Sequence, residues 1–135
     1  MTQPRDLILG FNEAVFNGHD VDAVDRFMAA DVLNRVTGRR GLDEFKAVVR
    51  YVLQVAPDTR STVDEVIAED SRVALFLTWS GTHQGEIRMP DRTIAPTRKA
   101  FAVRHVHLYR VADETIIEHS AVRDDLGLLR QIGAL

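Results

Sequence analysis

The first half of the chain repeats apolar residues at helical spacing. This pattern predicts one helix over Arg5–Asn17, which Gly18 ends, and two more over Val21–Met28 and Leu42–Val55. Between the second and the third helix lies a short apolar segment, Val32–Val36, which fits a strand or a turn equally well. The first half is therefore predicted to be mainly helical.

In the second half, apolar and polar residues alternate as they do in β-strands. Ser61–Ala68 and Val73–Thr82 are predicted to form a hairpin, and Lys99–Val111 and Thr115–Arg123 a second one. The intervening polar segment, Gly85–Arg98, contains two prolines and is predicted to be a loop with at most a short edge strand. Loops of this length often border a binding site.

Helices followed by an antiparallel meander and a terminal helix define an α+β domain. We expect a single domain over residues 1–135, with a curved sheet wrapped around the N-terminal helices and a pocket on its concave side. The composition, 45% hydrophobic and 27% charged, is that of a globular protein.

Charge and composition exclude several classes of function. A net charge of −3 and scattered arginines provide no basic field, so nucleic acid is not an expected partner. The absence of cysteine excludes disulfides and thiolate metal sites. The N-terminus has neither the apolar core of a signal peptide nor a membrane span, so a soluble cytoplasmic protein is expected.

The strongest candidate for chemistry is the acidic pair Asp124 and Asp125. The pair follows the predicted strand Ile116–Arg123 and precedes a short amphipathic helix that continues to Gly133. Burial beside apolar residues raises the pKa of a carboxyl group and suits it to carry protons. The alternative is that Asp124 only caps the helix, a role for which Asp125 competes.

A register argument brings histidines to the same face as Asp124. If the last hairpin turns at Ala112–Thr115, residues paired across it share a face. The predicted pairs are Tyr109 with Glu118, His107 with Ser120, and His105 with Val122. His119 and the arginines of these strands would then lie on the opposite, solvated face.

His105 and His107 are therefore candidate catalytic groups, although histidines in apolar strands are often core residues bonded to the backbone. No metal site is expected, since the chain has no HxxxH helix motif and no convergent acids. Side chains that are candidates for the pocket wall and substrate contacts are Asn34, Phe76, Trp79, Val103, Tyr109 and Ser120.

Three segments resemble the SnoaL-like polyketide cyclases of the nuclear transport factor 2-like superfamily. They are SGTHQGE at Ser80–Glu86, APDTRSTVDEVIAED at Ala56–Asp70 and EHSAVRDDLGLLRQIG at Glu118–Gly133. The resemblance implies a cone-shaped α+β barrel with a deep hydrophobic pocket, no cofactor, and a homo-oligomer, a dimer or tetramer, built on sheet faces. By motif, the family's acid/base aspartate falls on Asp124 and its histidine on His107 or His105.

The chain departs from the family pattern at two places. Ser120 stands where the family commonly has a tryptophan, and the histidine commonly found near Asn34 is absent. The expected function is cofactor-free cyclisation of a small aromatic polyketide by intramolecular aldol condensation. The alternatives are isomerisation, dehydration or hydroxylase-type oxygenation on the same scaffold, or a non-catalytic binder of lipophilic ligands.

Overall fold

Helices and strands follow one another in the order that the hydrophobic pattern predicts. The computed structural model describes residues 2–135. The helices are α1 (Pro4–Phe11), which continues as a π-helix over Asn12–Asn17, α2 (Val24–Phe27), entered through a 3₁₀ turn over Val21–Ala23, α3 (Leu42–Val55) and α4 (Asp125–Gln131). The strands are β1 (Met28–Asn34), β2 (Arg39–Arg40), β3 (Arg60–Glu69), β4 (Arg72–Thr82), β5 (Ile87–Arg88), β6 (Thr93–Ile94), β7 (Ala100–Ala112) and β8 (Thr115–Arg123).

The sheet is curved and mostly antiparallel. Its six strands lie in the order β2-β1-β8-β7-β4-β3, and β5 pairs with β6 in a separate ribbon within the long loop. β1 runs parallel to β8, whereas the other pairs are antiparallel. The ambiguous segment after the second predicted helix is thus a strand, which begins at Met28 and shortens that helix.

The N-terminal helices pack on one face of the sheet, as the α+β prediction required. Ile8 and Phe11 of α1 and Val49 of α3 are at most 1% exposed, and they join Leu75 of β4 and Ile116 of β8 in the main core. Each such side chain stabilises the fold by roughly 1.5–3 kcal/mol on burial. A second apolar cluster joins α4 to the long loop and the start of β7.

A β-bulge changes the register predicted for the last hairpin. Ala112 pairs with Thr115 as expected, but Val111 pairs with Ile116 and Arg110 with Glu118, which leaves Ile117 as an extra residue. The register predicted beyond the turn was therefore wrong by one residue. The observed pairs are Tyr109 with His119, His107 with Ala121, and His105 with Arg123.

Candidate functional site

A cavity of about 270 Å³ lies between the helices and the concave face of the sheet. Its wall is mainly apolar and aromatic, because α1, α3, β4 and α4 each turn their hydrophobic side toward it. Representative wall residues are Phe11, Phe16, Phe45, Leu77, Trp79 and Leu128. Such a cavity suits a flat, largely apolar small molecule held by a few polar groups.

The polar part of the wall is a chain of three imidazole rings. Nδ1 of His107 lies 2.7 Å from Nε2 of His119, and Nε2 of His107 lies 3.4 Å from Nδ1 of His105. β7 supplies His105 and His107, which point to one face because they are two residues apart, and the bulge of β8 turns His119 to the same face. All three rings line the cavity.

These rings are neutral at physiological pH because they are removed from water. Burial, together with the positive charge of Arg123, lowers the pKa of His105 to about 4 against the opposing effect of Asp125 and Asp124. Burial and Arg123 likewise lower the pKa of His119 to about 4. The pKa of His107 lies well below its ordinary value because of burial and the neighbouring His119 and His105.

The acidic pair lies where β8 ends and α4 begins. Asp124 is exposed and caps α4, since its Oδ1 accepts a hydrogen bond of 2.8 Å from the Gly127 N–H. Asp125 lines the cavity, and its Oδ2 lies 3.4 Å from Nη2 of Arg123. Both carboxylates favour the protonated form of His105 and so oppose the lowering of its pKa.

Three of the predicted wall residues line the cavity. They are Asn34, Trp79 and Tyr109. Asn34 is 2% exposed, and its Oδ1 accepts a hydrogen bond from the Val36 N–H. The ring of Trp79 lies against His105, 5.7 Å between centroids, and burial raises the pKa of the Tyr109 hydroxyl, which keeps it protonated.

The other three predicted wall residues lie elsewhere. Val103 is buried in the second apolar cluster, on which Trp79 packs. Phe76 pairs with Val106 on the outer face of the sheet, because the strand alternation places Leu77 and Trp79 inside. Ser120 was also expected inside, but the bulge turns it to the outer face opposite Leu108. The predictions that placed Phe76 and Ser120 in this cavity were therefore wrong.

His119 is a cavity histidine that the sequence interpretation missed. It was expected on the solvated face, yet it is 8% exposed and its ring lies edge-on to Phe45, 5.2 Å between centroids. The only signal in the sequence is the pair of adjacent isoleucines, Ile116 and Ile117, which fits a strand that shifts its register by one residue.

Within residues 2–135, no group of three His, Asp or Glu side chains is arranged to hold a metal ion. The three histidines do not converge on a common point, because both ring nitrogens of His107 face neighbouring rings. None of the helices in that range is both long and apolar enough to cross a membrane.

The fold and the cavity define an α+β protein that binds a small molecule on the concave side of a curved sheet. The sequence profile of the SnoaL-like polyketide cyclases matches residues 6–132. The chain therefore belongs to the SnoaL-like polyketide cyclase family.

Individual relatives agree with this membership. The chain is 31% identical over 127 residues to nogalonic acid methyl ester cyclase from Streptomyces nogalater, a match that covers 89% of this chain and 90% of that one. IdmH from Streptomyces antibioticus, for which a polyketide cyclase activity has been suggested, has a TM-score of 0.82 and 26% identity over 98% of this chain and 99% of its own. AclR from Streptomyces galilaeus, for which a hydroxylase activity has been suggested, has a TM-score of 0.82 and 25% identity. That match covers 98% of this chain and 82% of AclR.

Proposed function

We propose that the protein closes a ring in an aromatic polyketide intermediate by intramolecular aldol chemistry, without a cofactor. The observation that carries the proposal is an apolar cavity that has neutral imidazoles in its wall and, where β8 meets α4, the carboxylates of Asp124 and Asp125. Asp124 is the group that we assign to proton transfer. Its capping bond occupies only Oδ1, and its two neighbours in the chain, Arg123 and Asp125, line the cavity.

The reaction proceeds in two proton transfers around one carbon–carbon bond. The Asp124 carboxylate takes a proton from a carbon between two carbonyl groups, and the resulting enolate carbon attacks a second carbonyl of the same molecule. The alkoxide formed then receives a proton, so the aldol product has the same mass as the substrate. The protein mainly holds the two reacting carbons together, because a proton between carbonyls is already acidic.

The enolate oxygen must also be stabilised, and neutral imidazoles are suited to this role. A neutral ring N–H donates a hydrogen bond to the oxygen as negative charge develops there, and it does not protonate the enolate outright as an imidazolium would. We assign this role to His105, since it lines the cavity and its Nε2 faces no other ring, whereas both ring nitrogens of His107 face neighbouring rings. Trp79 and Tyr109 supply aromatic surface against which flat rings stack.

Asp124→Asn tests the assignment with little disturbance to the fold, because asparagine caps a helix as well as aspartate does. With nogalonic acid methyl ester as the probe substrate, we expect kcat to fall about 100-fold or more, since the amide cannot carry a proton. The melting temperature and the affinity for the ring system should remain close to those of the unchanged protein.

Asp20→Asn is the matched control, because Asp20 also caps a helical turn with its carboxylate but does not line the cavity. We expect kcat to change only a few-fold in this variant. Full activity in Asp124→Asn would mean that Asp124 is a helix cap alone, and would reject the acid/base assignment.

A hydroxylation is the second candidate, because AclR matches this fold as well as IdmH does. The two reactions differ in the mass of the product. Aldol addition leaves the mass unchanged, dehydration after it removes one water, and hydroxylation adds one oxygen atom. Mass spectrometry of a single turnover with the probe substrate therefore separates them.

We also infer that the protein forms a homo-oligomer through the outer face of the sheet. Val122 is 73% exposed and Leu108 is 46% exposed, and both lie on that face. Large exposed apolar side chains that lie on one face are typical of a surface covered by another chain.

A further inference from the structure

Two buried side chains of the cavity wall carry polar groups that make no hydrogen bond within residues 2–135. They are the hydroxyl of Tyr109 and the Nδ2 amide group of Asn34, and each residue is 2% exposed. Neither group is fully enclosed, whereas Nδ1 of His119 is. Because both residues line the cavity, the surface that these groups retain opens into it.

The strand register brings the two residues into one row on the concave face. His119 of β8 pairs with Tyr109 of β7 on one side and with Asn34 of β1 on the other. Neighbouring strands lie about 4.8 Å apart, so the backbones of Tyr109 and Asn34 are separated by roughly 10 Å. The two polar groups therefore flank the ring of His119.

Both groups are held in place by contacts that do not use their donors. The ring of Tyr109 lies edge-on to Phe11, with 5.8 Å between centroids, and is stacked on His107 at 6.1 Å. Oδ1 of Asn34 accepts a hydrogen bond of 3.1 Å from the Val36 N–H, which fixes the amide and leaves Nδ2 as its unused end. Donors fixed before a ligand arrives lose little conformational entropy when it binds.

The fold itself does not require these donors. An unpaired polar group in a buried place costs free energy, and a phenylalanine at residue 109 would make the same ring contacts without that cost. Buried polar groups nearly always have a partner. A ligand that supplies acceptor atoms to this row of the wall would give both groups one.

We propose that Tyr109 and Asn34 donate hydrogen bonds to carbonyl oxygens of the substrate and thereby select flat ring systems with ketone or quinone oxygens on the edge that faces them. This inference rests on the aromatic polyketide proposed above and narrows that class. An edge of bare hydrocarbon leaves both donors unpaired, and a site built for hydrogen bonds rejects such a molecule strongly.

The same contacts determine which way round the substrate is bound. Tyr109 and His105 are four residues apart on β7, which corresponds to about 13 Å along the strand. The row that contains Tyr109 therefore binds one edge of the ring system at a distance from His105, to which we assign the enolate oxygen. Holding that edge fixes the part of the molecule that reacts.

The fluorescence of Trp79 measures binding without any turnover. Trp79 is the single tryptophan of the chain, and it lines the cavity. The probes are 1,4-naphthoquinone, which quenches this fluorescence, and naphthalene, which has the same two rings without oxygen and is measured by displacing the quinone. We expect the unchanged protein to bind the quinone at least 10-fold more tightly than the hydrocarbon.

Tyr109→Phe tests the hydroxyl, because it removes one oxygen atom and keeps the ring. We expect this variant to reduce the preference for the quinone about 5- to 10-fold. Tyr51→Phe is the matched control, since Tyr51 also lines the cavity but its hydroxyl already accepts a hydrogen bond of 3.0 Å from the Arg88 N–H. The control should leave the ratio of the two affinities unchanged.

Asn34→Leu tests the second donor in the same assay. It also removes the acceptor of the Val36 N–H, so its effect is taken from the ratio of the two affinities, in which a change common to both ligands cancels. We expect a loss of preference of about 5- to 10-fold, and the product of the two losses in the double variant. An unchanged ratio in Tyr109→Phe and Asn34→Leu, or no quenching of the unchanged protein, would overturn the proposal.

The melting temperature separates ligand binding from a structural role. Tyr109→Phe should melt at the temperature of the unchanged protein or slightly above it, because it loses a buried hydroxyl that nothing within residues 2–135 binds. A clear decrease would mean that the hydroxyl stabilises the fold, and would count against the proposal.

The two proposals fail in distinguishable ways. If the protein does not close the ring of nogalonic acid methyl ester but loses its quinone preference in Tyr109→Phe, the aldol function fails and the carbonyl-binding row stands. If the ring closes and both variants keep the preference for the quinone, the row fails and the aldol function stands.

Discussion

At the scale of single residues, the site depends on imidazoles that are kept neutral by burial. His107 is placed between two other rings, so a proton on it would be repelled by any proton on its neighbours as well as desolvated. A neutral ring is both donor and acceptor, whereas an imidazolium only donates. The lowered pKa values therefore preserve the hydrogen-bonding capacity that the site needs.

The same burial makes the stability of the protein depend on pH. His105 and His119 have a pKa of about 4 when folded, against about 6.5 in the unfolded chain. The unfolded state binds more protons between these values, so the free energy of unfolding is highest above pH 6.5 and falls as the pH decreases toward 4. Each histidine contributes a slope of at most about 1.4 kcal/mol per pH unit.

Urea denaturation at a series of pH values measures this slope. His105→Gln removes one titrating ring and should make the decrease between pH 6.5 and 4 shallower by about one histidine's share. An identical slope in His105→Gln and the unchanged protein would contradict the buried, neutral state of this ring.

At the scale of elements, the sequence predicted the bounds of helices and strands better than it predicted the register in which the strands pair. α3 and β8 begin and end at the residues expected, because local periodicity and helix-ending signals define them. The bulge at Ile117 was not predicted, since adjacent isoleucines are compatible with either register and the choice depends on contacts with distant strands. That single residue decided that His119 faces the cavity and that Ser120 does not.

The contact between α3 and the long loop requires a glycine. The N–H of Gly85 donates to the Val55 carbonyl over 3.1 Å, and a Cβ at residue 85 would overlap the carbonyl group of Gln54. Because the obstacle is backbone, Gly85→Ala must displace the loop or the end of α3. We expect a loss of about 1–3 kcal/mol in the free energy of unfolding.

Gly10→Ala is the matched control for this prediction. A Cβ at Gly10 would meet only the ring of Phe27, at an ordinary 3.5 Å, and alanine is the better helix former. We expect this variant to be as stable as the unchanged protein or about 0.5–1 kcal/mol more stable. Equal destabilisation by both variants in chemical denaturation would contradict the steric argument for Gly85.

At the scale of the whole molecule, the two faces of the sheet differ in what covers them. The concave face carries the cavity and the core, while the outer face exposes Val122 and Leu108. The composition of the strands predicted the concave pocket, but it did not predict the parallel pairing of β1 with β8, because that contact joins segments far apart in the chain.

Val122→Lys tests the assignment of the outer face to an interface between copies of this chain. Light scattering after size-exclusion chromatography should give a dimer or a larger oligomer for the unchanged protein and a monomer for this variant, since a lysine would be buried against apolar side chains. Leu126→Lys, on α4, is a control at a similarly exposed apolar residue and should leave the oligomer intact. An unchanged protein that is monomeric at micromolar concentration would reject the interface.

The parallel pairing of β1 with β8 has a consequence for how the protein is made. β1 ends at Asn34, but on one side it must wait for β8, whose synthesis begins only at Thr115. The sheet therefore cannot close around the helices until β8 has been translated, and contacts of such wide sequence separation form slowly. We expect the nascent chain to expose much of its apolar core during translation, which makes it a substrate for chaperones that bind at the ribosome exit.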